Sequence, residues 1–212
     1  MSGERSYNQS ANQMDSIDAT ISGRYRIEQV LGMGGAGKVC LAQDLILGRQ
    51  VALKFVHAYT SHVDPAAVQR LQREALILSQ LEHPNIVQVY SIGLTDDQEV
   101  YLCMEFVPGQ SLEDRLDGGS LPLKDCLAVA EQLCLAMICA QEHRVVHRDI
   151  KPANVLLTKT ESGALRVKLA DFGLSKVREA ATGAAEGITR TNAVVGTLQY
   201  MSPEQCVGRQ AD

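Results

Sequence analysis

The chain has 212 residues and a formal net charge of −5, with 45% hydrophobic and 21% charged residues; that is a globular mix with room for one sizeable core or two small lobes. The acidic balance excludes a broad basic footprint for nucleic acid, and 4% aromatics with no Trp supply no stacking platform for bases. No apolar run approaches the ~20 residues of a membrane span, the N-terminus lacks a signal-peptide core, and six Cys without a CxxC pair or Cys/His cluster read as reduced thiols of a cytoplasmic chain.

Residues 1–22 are polar, rich in Ser, Asn and Gln, and read as a disordered tail. From Arg24 the pattern changes. Tyr25 and Ile27 alternate with Arg26 and Glu28, a glycine cluster follows (Gly32-Met33-Gly34-Gly35-Ala36-Gly37), and Val39 and Leu41 alternate again. Two strands joined by a glycine turn are predicted. In a third strand, Val51–Val56, the period of two sets Val51, Leu53 and Phe55 on one face and Ala52, Lys54 and Val56 on the other.

Asp64-Pro65 has the form of a helix start, and Val68, Leu71, Ala75 and Leu78 make an apolar stripe with Glu74 on or beside it. This helix should end before His83-Pro84-Asn85. Strands are expected near 86–91 and 99–106, with a break at Pro108-Gly109. A long amphipathic helix should start at Pro122 and bury Leu127, Ala130, Cys134, Met137 and Ile138. Short strands at 155–157 and 167–170 flank a turn at Glu161-Ser162-Gly163. Residues 177–192 are small, polar and aperiodic, a long loop. There are no internal repeats.

The glycine cluster is ambiguous alone. Gly32-x-Gly34-x-x-Gly37 fits a dinucleotide fingerprint as a string, and Gly32-x4-Gly37-Lys38 nearly fits a Walker loop. Both need a helix next, whereas 38–42 reads as strand. A glycine hairpin over a phosphate and a plain glycine turn both remain open. Lys54 lies in an apolar segment and needs a partner or an anion. Glu74 is the natural candidate, although the two are equally readable as solvated charges, with Arg70 as the i,i+4 partner of Glu74.

The most specific segment is Val146-His147-Arg148-Asp149-Ile150-Lys151-Pro152-Ala153-Asn154, followed after a strand hairpin by Asp171-Phe172-Gly173. Asp149 can accept the proton of a hydroxyl, and Lys151 can steady a phosphoryl group. Asn154 and Asp171 are hard oxygen ligands suited to Mg2+. Phosphoryl transfer needs positioning and charge neutralisation more than covalent chemistry, and these residue types supply both.

In order, Gly32/Gly34/Gly37/Val39, Val51-Ala52-Leu53-Lys54, Glu74, His83-Pro84-Asn85, the 147–154 loop, Asp171-Phe172-Gly173 and Gly196-to-Glu204 make the chain from about Arg24 onward resemble a bacterial, eukaryotic-like serine/threonine protein kinase. Lys151, and Gly196-Thr197 ahead of Tyr200, resemble the serine/threonine rather than the tyrosine branch. The resemblance implies an α+β, bilobal protein kinase-like fold, with an N-lobe over about 24–106 and a helical C-lobe from about 107 to 212. It implies ATP and Mg2+ as cofactors, with Asp149 and Lys151 catalytic and Asn154 and Asp171 on the metal. Leu31, Gly32, Gly34, Gly37, Val39, Ala52, Lys54, Glu74 and Leu156 would surround the nucleotide. Met104 matches the gatekeeper, and Glu105, Phe106 and Val107 match the adenine-binding hinge. Leu78, Val89, Phe172 and His147 would form the regulatory stack.

Thr189 and Thr191 resemble an autophosphorylation pair, with Thr182 a weaker candidate and Arg148 the expected partner of the phosphate; ordinary loop threonines are the plain alternative. Expected partners are protein substrates with Ser or Thr, and a second copy of the chain for autophosphorylation; nucleic acid and membrane are not expected. Two departures stand out: Ser202 replaces the usual Ala before Pro203-Glu204, and Cys40 stands where an aromatic is frequent. The helices that complete the family's lower lobe would lie past Asp212 and cover part of the apolar side of the Pro122 helix, so in this span alone several of its large side chains are expected to face water, and the span is expected to be marginally stable and weakly active. The alternative functions are an inactive, pseudokinase-like binding fragment and a small-molecule phosphotransferase. The Gly196-to-Glu204 shelf argues against the last.

Overall fold

Alternating apolar residues and tight turns build the first half of the chain into an antiparallel sheet. The computed structural model describes residues 18–34, 37–56, 69, 73, 76–97, 99–172 and 198–207. Strands β1 (Thr20–Ile21), β2 (Tyr25–Gly34), β3 (Gly37–Asp44), β4 (Arg49–Val56), β5 (Val89–Leu94) and β6 (Val100–Glu105) form a six-stranded sheet in the order β1-β2-β3-β4-β6-β5. The first strand corrects the expected tail at its end. Thr20 and Ile21 pair with Arg26 and Tyr25, and Ile21 sits in the core, so order begins before residue 22.

β4 shows the period of two that its sequence predicts. Val51, Leu53 and Phe55 pack with Tyr25, Ile27 and Tyr101 on one face. Ala52 and Val56 pack with Leu78, Leu81, Ile86, Leu102 and Met104 on the other. Residues 76–79 are helical, and Leu78 is buried as its place in the stripe requires. The rest of that stripe, and Glu74, lie outside the described residues. β5 starts three residues later than expected. The reason is that Ile86 bridges Leu169 in parallel, with the Val87 N–H on the Leu169 carbonyl at 3.0 Å and the Leu169 N–H on the Asn85 carbonyl at 2.8 Å.

The second half contains β7 (Gln110–Ser111), α1 (Leu112–Asp117), α2 (Leu123–Glu142), β8 (Val155–Lys159), β9 (Leu165–Leu169) and α3 (Pro203–Cys206), with β7-β8-β9 as a three-stranded sheet. Gly109 fits close beneath β8 at φ 151°, and a Cβ there would come within 2.1 Å of the Leu157 carbonyl oxygen. Ser111 and Asp114 close a capping box that starts α1. The two halves form the α+β, bilobal fold.

The apolar side of α2 is largely uncovered, as expected for this span. Leu127 and Ile138 are 63% and 53% exposed, Ala130 and Cys134 are exposed, and Met137 is half-buried. Val129, Ala136 and Ala140 are the buried positions instead. Gln132 lies on the covered side with them. Its Oε1 accepts from Asn85 Nδ2 at 2.8 Å and from the Val167 N–H at 2.9 Å, and its Nε2 donates to the Leu165 carbonyl at 3.2 Å. Strand and loop groups that need partners are met by this polar side chain, and Val129, Ala136 and Ala140 are buried beside it.

Candidate active site

Gly34 pairs with Gly37 to close the hairpin of β2 and β3. Register shifts between Ile27 and Gln29 and between Val30 and Gly32 kink β2 just before the turn. Gly37 has φ 123°, and a Cβ would lie 1.9 Å from the Phe55 carbonyl oxygen, so no other residue fits. β3 then carries Val39 opposite Lys54, and β4 carries Ala52 opposite Met104. Val39 and Leu156 pack against the apolar cluster that holds Ala52 and Met104. Leu31 stays exposed beside the glycine turn.

Lys54 is nearly buried, and its ammonium donates to Asp171 Oδ2 at 2.5 Å. A lysine from the upper sheet therefore meets a carboxylate that follows β9 in the lower lobe. This is a partner for Lys54 beyond the expected Glu74, which is not among the described residues. Asp171 holds φ 68°, a left-handed backbone that a non-glycine residue adopts only when its surroundings impose it. Phe172 next to it is buried, and its ring meets that of His147 edge-on at 4.5 Å between centroids. Leu78, Val89 and Phe172 line one small cavity that also reaches Asp171.

His147 is the node of the loop at 146–154. Its Nδ1 accepts the Asp149 N–H at 3.2 Å, so its proton is on Nε2, which donates to the Ala170 carbonyl at 2.8 Å. Burial holds its pKa below the ordinary histidine value, against the opposing pull of the Ala170 carbonyl and of the Asp171 and Asp149 charges. Arg148 adopts φ 68°, which turns the chain between the two. Asn154 is buried, and its Nδ2 donates to the Asp149 carbonyl at 2.7 Å and to Asp149 Oδ2 at 3.0 Å. Lys151 Nζ lies 2.8 Å from the same Oδ2. The Asn154 carbonyl accepts the Ala170 N–H at 2.8 Å. Asp149, Lys151, Asn154 and Asp171 are thus brought together through His147 and Ala170.

The donor set fits a magnesium ion that binds with a phosphate ligand. Mg2+ takes one or two carboxylates and fills its octahedron with phosphate oxygens and water. With the Asn154 amide nitrogen committed to Asp149, its Oδ1 and the Asp171 carboxylate are hard donors on either side of the Asn154–Ala170 hydrogen bond. Among the described residues no group of three His, Cys, Asp or Glu offers an all-protein cage.

At the expected hinge, the Glu105 N–H is committed to the Gln88 carbonyl at 2.8 Å, and its side chain accepts from Lys168 Nζ at 2.7 Å. Val107 follows, half-buried against the core. Several contacts escape sequence reasoning. Gln205 Nε2 in α3 donates to the Arg148 carbonyl at 2.7 Å, which ties the expected substrate shelf to the catalytic loop. The Asn85–Gln132 pair and the Glu105–Lys168 pair are likewise unsignalled, apart from a polar residue standing inside an apolar run. Arg148 Nε is buried with no hydrogen-bond partner among the described residues. Thr182, Thr189, Thr191, Gly173 and Gly196-Thr197 lie outside the described residues.

Comparison with known proteins agrees with this geometry. The family model for the protein kinase domain matches residues 25–212. Serine/threonine-protein kinase PrkC of Bacillus subtilis is 40% identical over 193 residues, covering 91% of this chain and 28% of the relative. Serine/threonine-protein kinase PknA of Mycobacterium tuberculosis is 38% identical over 200 residues, covering 92% and 44%. Serine/threonine-protein kinase pkn2 of Myxococcus xanthus is 38% identical over 192 residues, covering 91% and 22%. The chain therefore spans less than half the length of each of these relatives. Among solved structures, the kinase domain of PknI from Mycobacterium tuberculosis superposes with a TM-score of 0.68 at 28% identity, covering 93% of this chain and 70% of that one.

Proposed function

The chain belongs to the protein kinase family, and from that premise we propose that it carries the catalytic centre of an ATP-dependent protein serine/threonine kinase working in the cytoplasm. The observation that carries the reading is the convergence of the Lys54–Asp171 ion pair with the Asp149–Lys151–Asn154 group. Lys54 exchanges Asp171 for the nucleotide phosphates, steadied by Glu74. Asp171 and Asn154 then hold Mg2+, which supplies charge neutralisation at the phosphates when bound. Gly32, Gly34 and Gly37 let the hairpin backbone approach those phosphates. Leu31, Val39, Ala52 and Leu156 enclose the adenine with Met104 behind it. With the Glu105 N–H taken by Gln88, the Glu105 carbonyl and the Val107 N–H are the hinge groups for the adenine edge.

Asp149 receives the proton of the substrate hydroxyl. Its Oδ2 is occupied by Lys151 and Asn154, so Oδ1 is the oxygen for that task. Lys151 steadies the phosphoryl group between donor and acceptor. Transfer of radiolabelled phosphate from ATP to casein, in the full-length protein beside Lys54→Met and Asp149→Ala, tests the reading. The wild type should transfer and both variants should not. Near wild-type turnover in Lys54→Met would overturn the assignment, and nucleotide binding without transfer in the wild type would favour a non-catalytic binding module.

Regulation by phosphorylation at Thr189 and Thr191, between two copies of the chain, belongs to the same reading. Arg148 supports it, because a buried guanidinium nitrogen without a partner among the described residues fits a phosphate's acceptor oxygens. Mass spectrometry of active enzyme, with kinetics of Thr189→Ala/Thr191→Ala, tests this. An unmodified loop at full activity rules the switch out.

A further inference from the structure

Past Tyr200 the chain turns at Ser202-Pro203 into α3, a helix of four residues and too short to hold itself. Gln205, its third residue, is half-buried. Its Oε1 accepts the Ser202 N–H at 3.0 Å and closes the start of the helix. Its Nε2 donates to the Arg148 carbonyl at 2.7 Å, across 57 positions of the chain. Among the described residues, this is the hydrogen bond that joins 198–207 to the rest of the molecule. One planar amide therefore holds two backbone groups at once, one at the expected substrate shelf and one in the loop that carries Asp149. That loop owes its shape to its own bonds: the Asp149 N–H is on His147 and the Asp149 carbonyl on Asn154. The Arg148 carbonyl, at a left-handed φ of 68°, goes to Gln205 instead.

We propose that Gln205 is a positioning residue that sets the place of the protein substrate relative to Asp149, so that it controls transfer to a Ser or Thr hydroxyl far more than hydrolysis of ATP by water. The inference rests on the kinase reading and deepens it. A peptide lying on the shelf carries its hydroxyl wherever the shelf goes. Asp149 stays where His147, Asn154 and Lys151 hold it. Without the amide the two parts move separately: the base is intact, but the acceptor arrives displaced. A displacement of about 1 Å costs roughly 10²-fold in rate. A water molecule does not rest on the shelf, so its attack on ATP does not depend on the tie. The residue type matters as well. Glutamine offers an acceptor and a donor in one group, whereas an ionised glutamate only accepts. The tie also uses the Arg148 carbonyl and leaves its guanidinium free to take a phosphate, so the two tasks of Arg148 do not compete.

The experiment compares wild type, Gln205→Met and Gln205→Glu in the full-length protein. Phosphate transfer from ATP to casein is measured as kcat and KM for casein, beside hydrolysis of ATP in the absence of casein. Hydrogen exchange of residues 198–207 and 147–154 is followed in the same samples. Gln205→Met removes both bonds, and its kcat/KM for casein should fall roughly ten- to hundred-fold while hydrolysis changes much less. Exchange should quicken in 198–207 and hold in 147–154. Gln205→Glu keeps the acceptor for the Ser202 N–H and loses the donor to Arg148, so it should show the same split. Wild-type transfer in Gln205→Glu would overturn the proposal, because the amide would then serve the helix start alone. Wild-type transfer in Gln205→Met overturns it too, as does an equal loss of transfer and hydrolysis, which would put the effect at Asp149 or the nucleotide. Should Gln205→Met unfold α3, Gln205→Glu retains the helix start and is judged by the same criteria. A wild type that neither transfers nor hydrolyses defeats the kinase reading itself, and the exchange arm still decides whether Gln205 holds 198–207 to the loop.

Discussion

In the six-stranded sheet, β4 buries every residue from Val51 to Val56, with apolar clusters on both faces. The loop from Val146 to Asn154 is organised otherwise: its order comes from His147, Asp149 and Asn154 bonding to named backbone and side-chain partners and from a left-handed Arg148. Burial is non-directional and shared among many contacts, so no single side chain of the sheet defines its position. A hydrogen-bonded loop is directional, and each partner is needed where it stands. The difference separates what stabilises the molecule from what its chemistry requires, and it predicts which substitutions cost rate and which cost stability.

The largest expected effect is on rate. Asp149→Asn removes the proton acceptor, and phosphoryl transfer should fall roughly 10²–10⁴-fold. The side chain is 37% exposed, and an Asn can still accept from Lys151 and Asn154, so the unfolding midpoint should hold. Steady-state kinetics with calorimetry on the same sample check both halves; a large drop in the midpoint would erase the contrast. Gly37→Ala comes next and joins the two regions. The φ of 123° and the 1.9 Å approach to the Phe55 oxygen should cost about 1–3 kcal/mol or more, seen as a lower midpoint and weaker nucleotide binding together. Retention of both would mean that the hairpin relaxes freely.

Asn85→Ala is smaller again. Its Nδ2 serves Gln132 and the Val167 carbonyl, and removing it takes the donor from that buried carbonyl while Gln132 Oε1 keeps the Val167 N–H, at about 1–3 kcal/mol. Leu127→Ala, on the exposed side of α2, should shift the stability of this chain by only about 0.5 kcal/mol. Urea unfolding of the two variants measures which face of α2 is packed. Equal losses would mean that the side carrying Leu127 is packed as well.

That face shows where sequence reasoning runs out. Period-two strands were legible because burial on either side of β4 follows directly from side-chain alternation, and the motif residues Lys54, Asp149, Asn154 and Asp171 were legible because their chemistry is scarce in apolar surroundings. On α2, apolar spacing marks a stripe but does not say which residues this span itself covers, and Leu127 and Ile138 stay exposed. The covered side carries Gln132, whose partners lie far away in sequence and are announced by no local pattern. β5 was displaced for a related reason, since Ile86 was taken by a bridge to Leu169 that no local pattern announces. The direct contact of Lys54 with Asp171, like that of Lys168 with Glu105, depends on how the lobes meet and not on either strand alone.

The smallest expected effect is a difference in acid sensitivity between the two regions. In the sheet, Arg24 donates two hydrogen bonds to the buried Asp44, at 3.1 and 2.7 Å, and holds its carboxyl down at about 2 from an ordinary 3.8. The folded sheet binds that proton less readily than the unfolded chain, so the pair's contribution is complete above pH 3.8 and is lost as pH falls from there toward about 2. His147 works in a higher window. Burial lowers its pKa beneath 6.5, so below pH 6.5 the unfolded chain takes up a proton that the folded loop refuses. A second proton would also have to sit on Nδ1, which already accepts the Asp149 N–H. Stability from His147 is therefore complete above pH 6.5 and declines as pH falls below it. Between pH 6.5 and 3.8 the segments at 145–155 and 169–172 should lose hydrogen-exchange protection, corrected for intrinsic rates, before β2 to β4 do. His83, whose pKa is lowered first by burial and then by Lys168, shifts in the same direction. His147→Asn separates the two, since it removes the titration while retaining a side chain able to bond. Parallel loss in both regions, or an unchanged profile in His147→Asn, would mean that His147 does not set the acid limit of the loop.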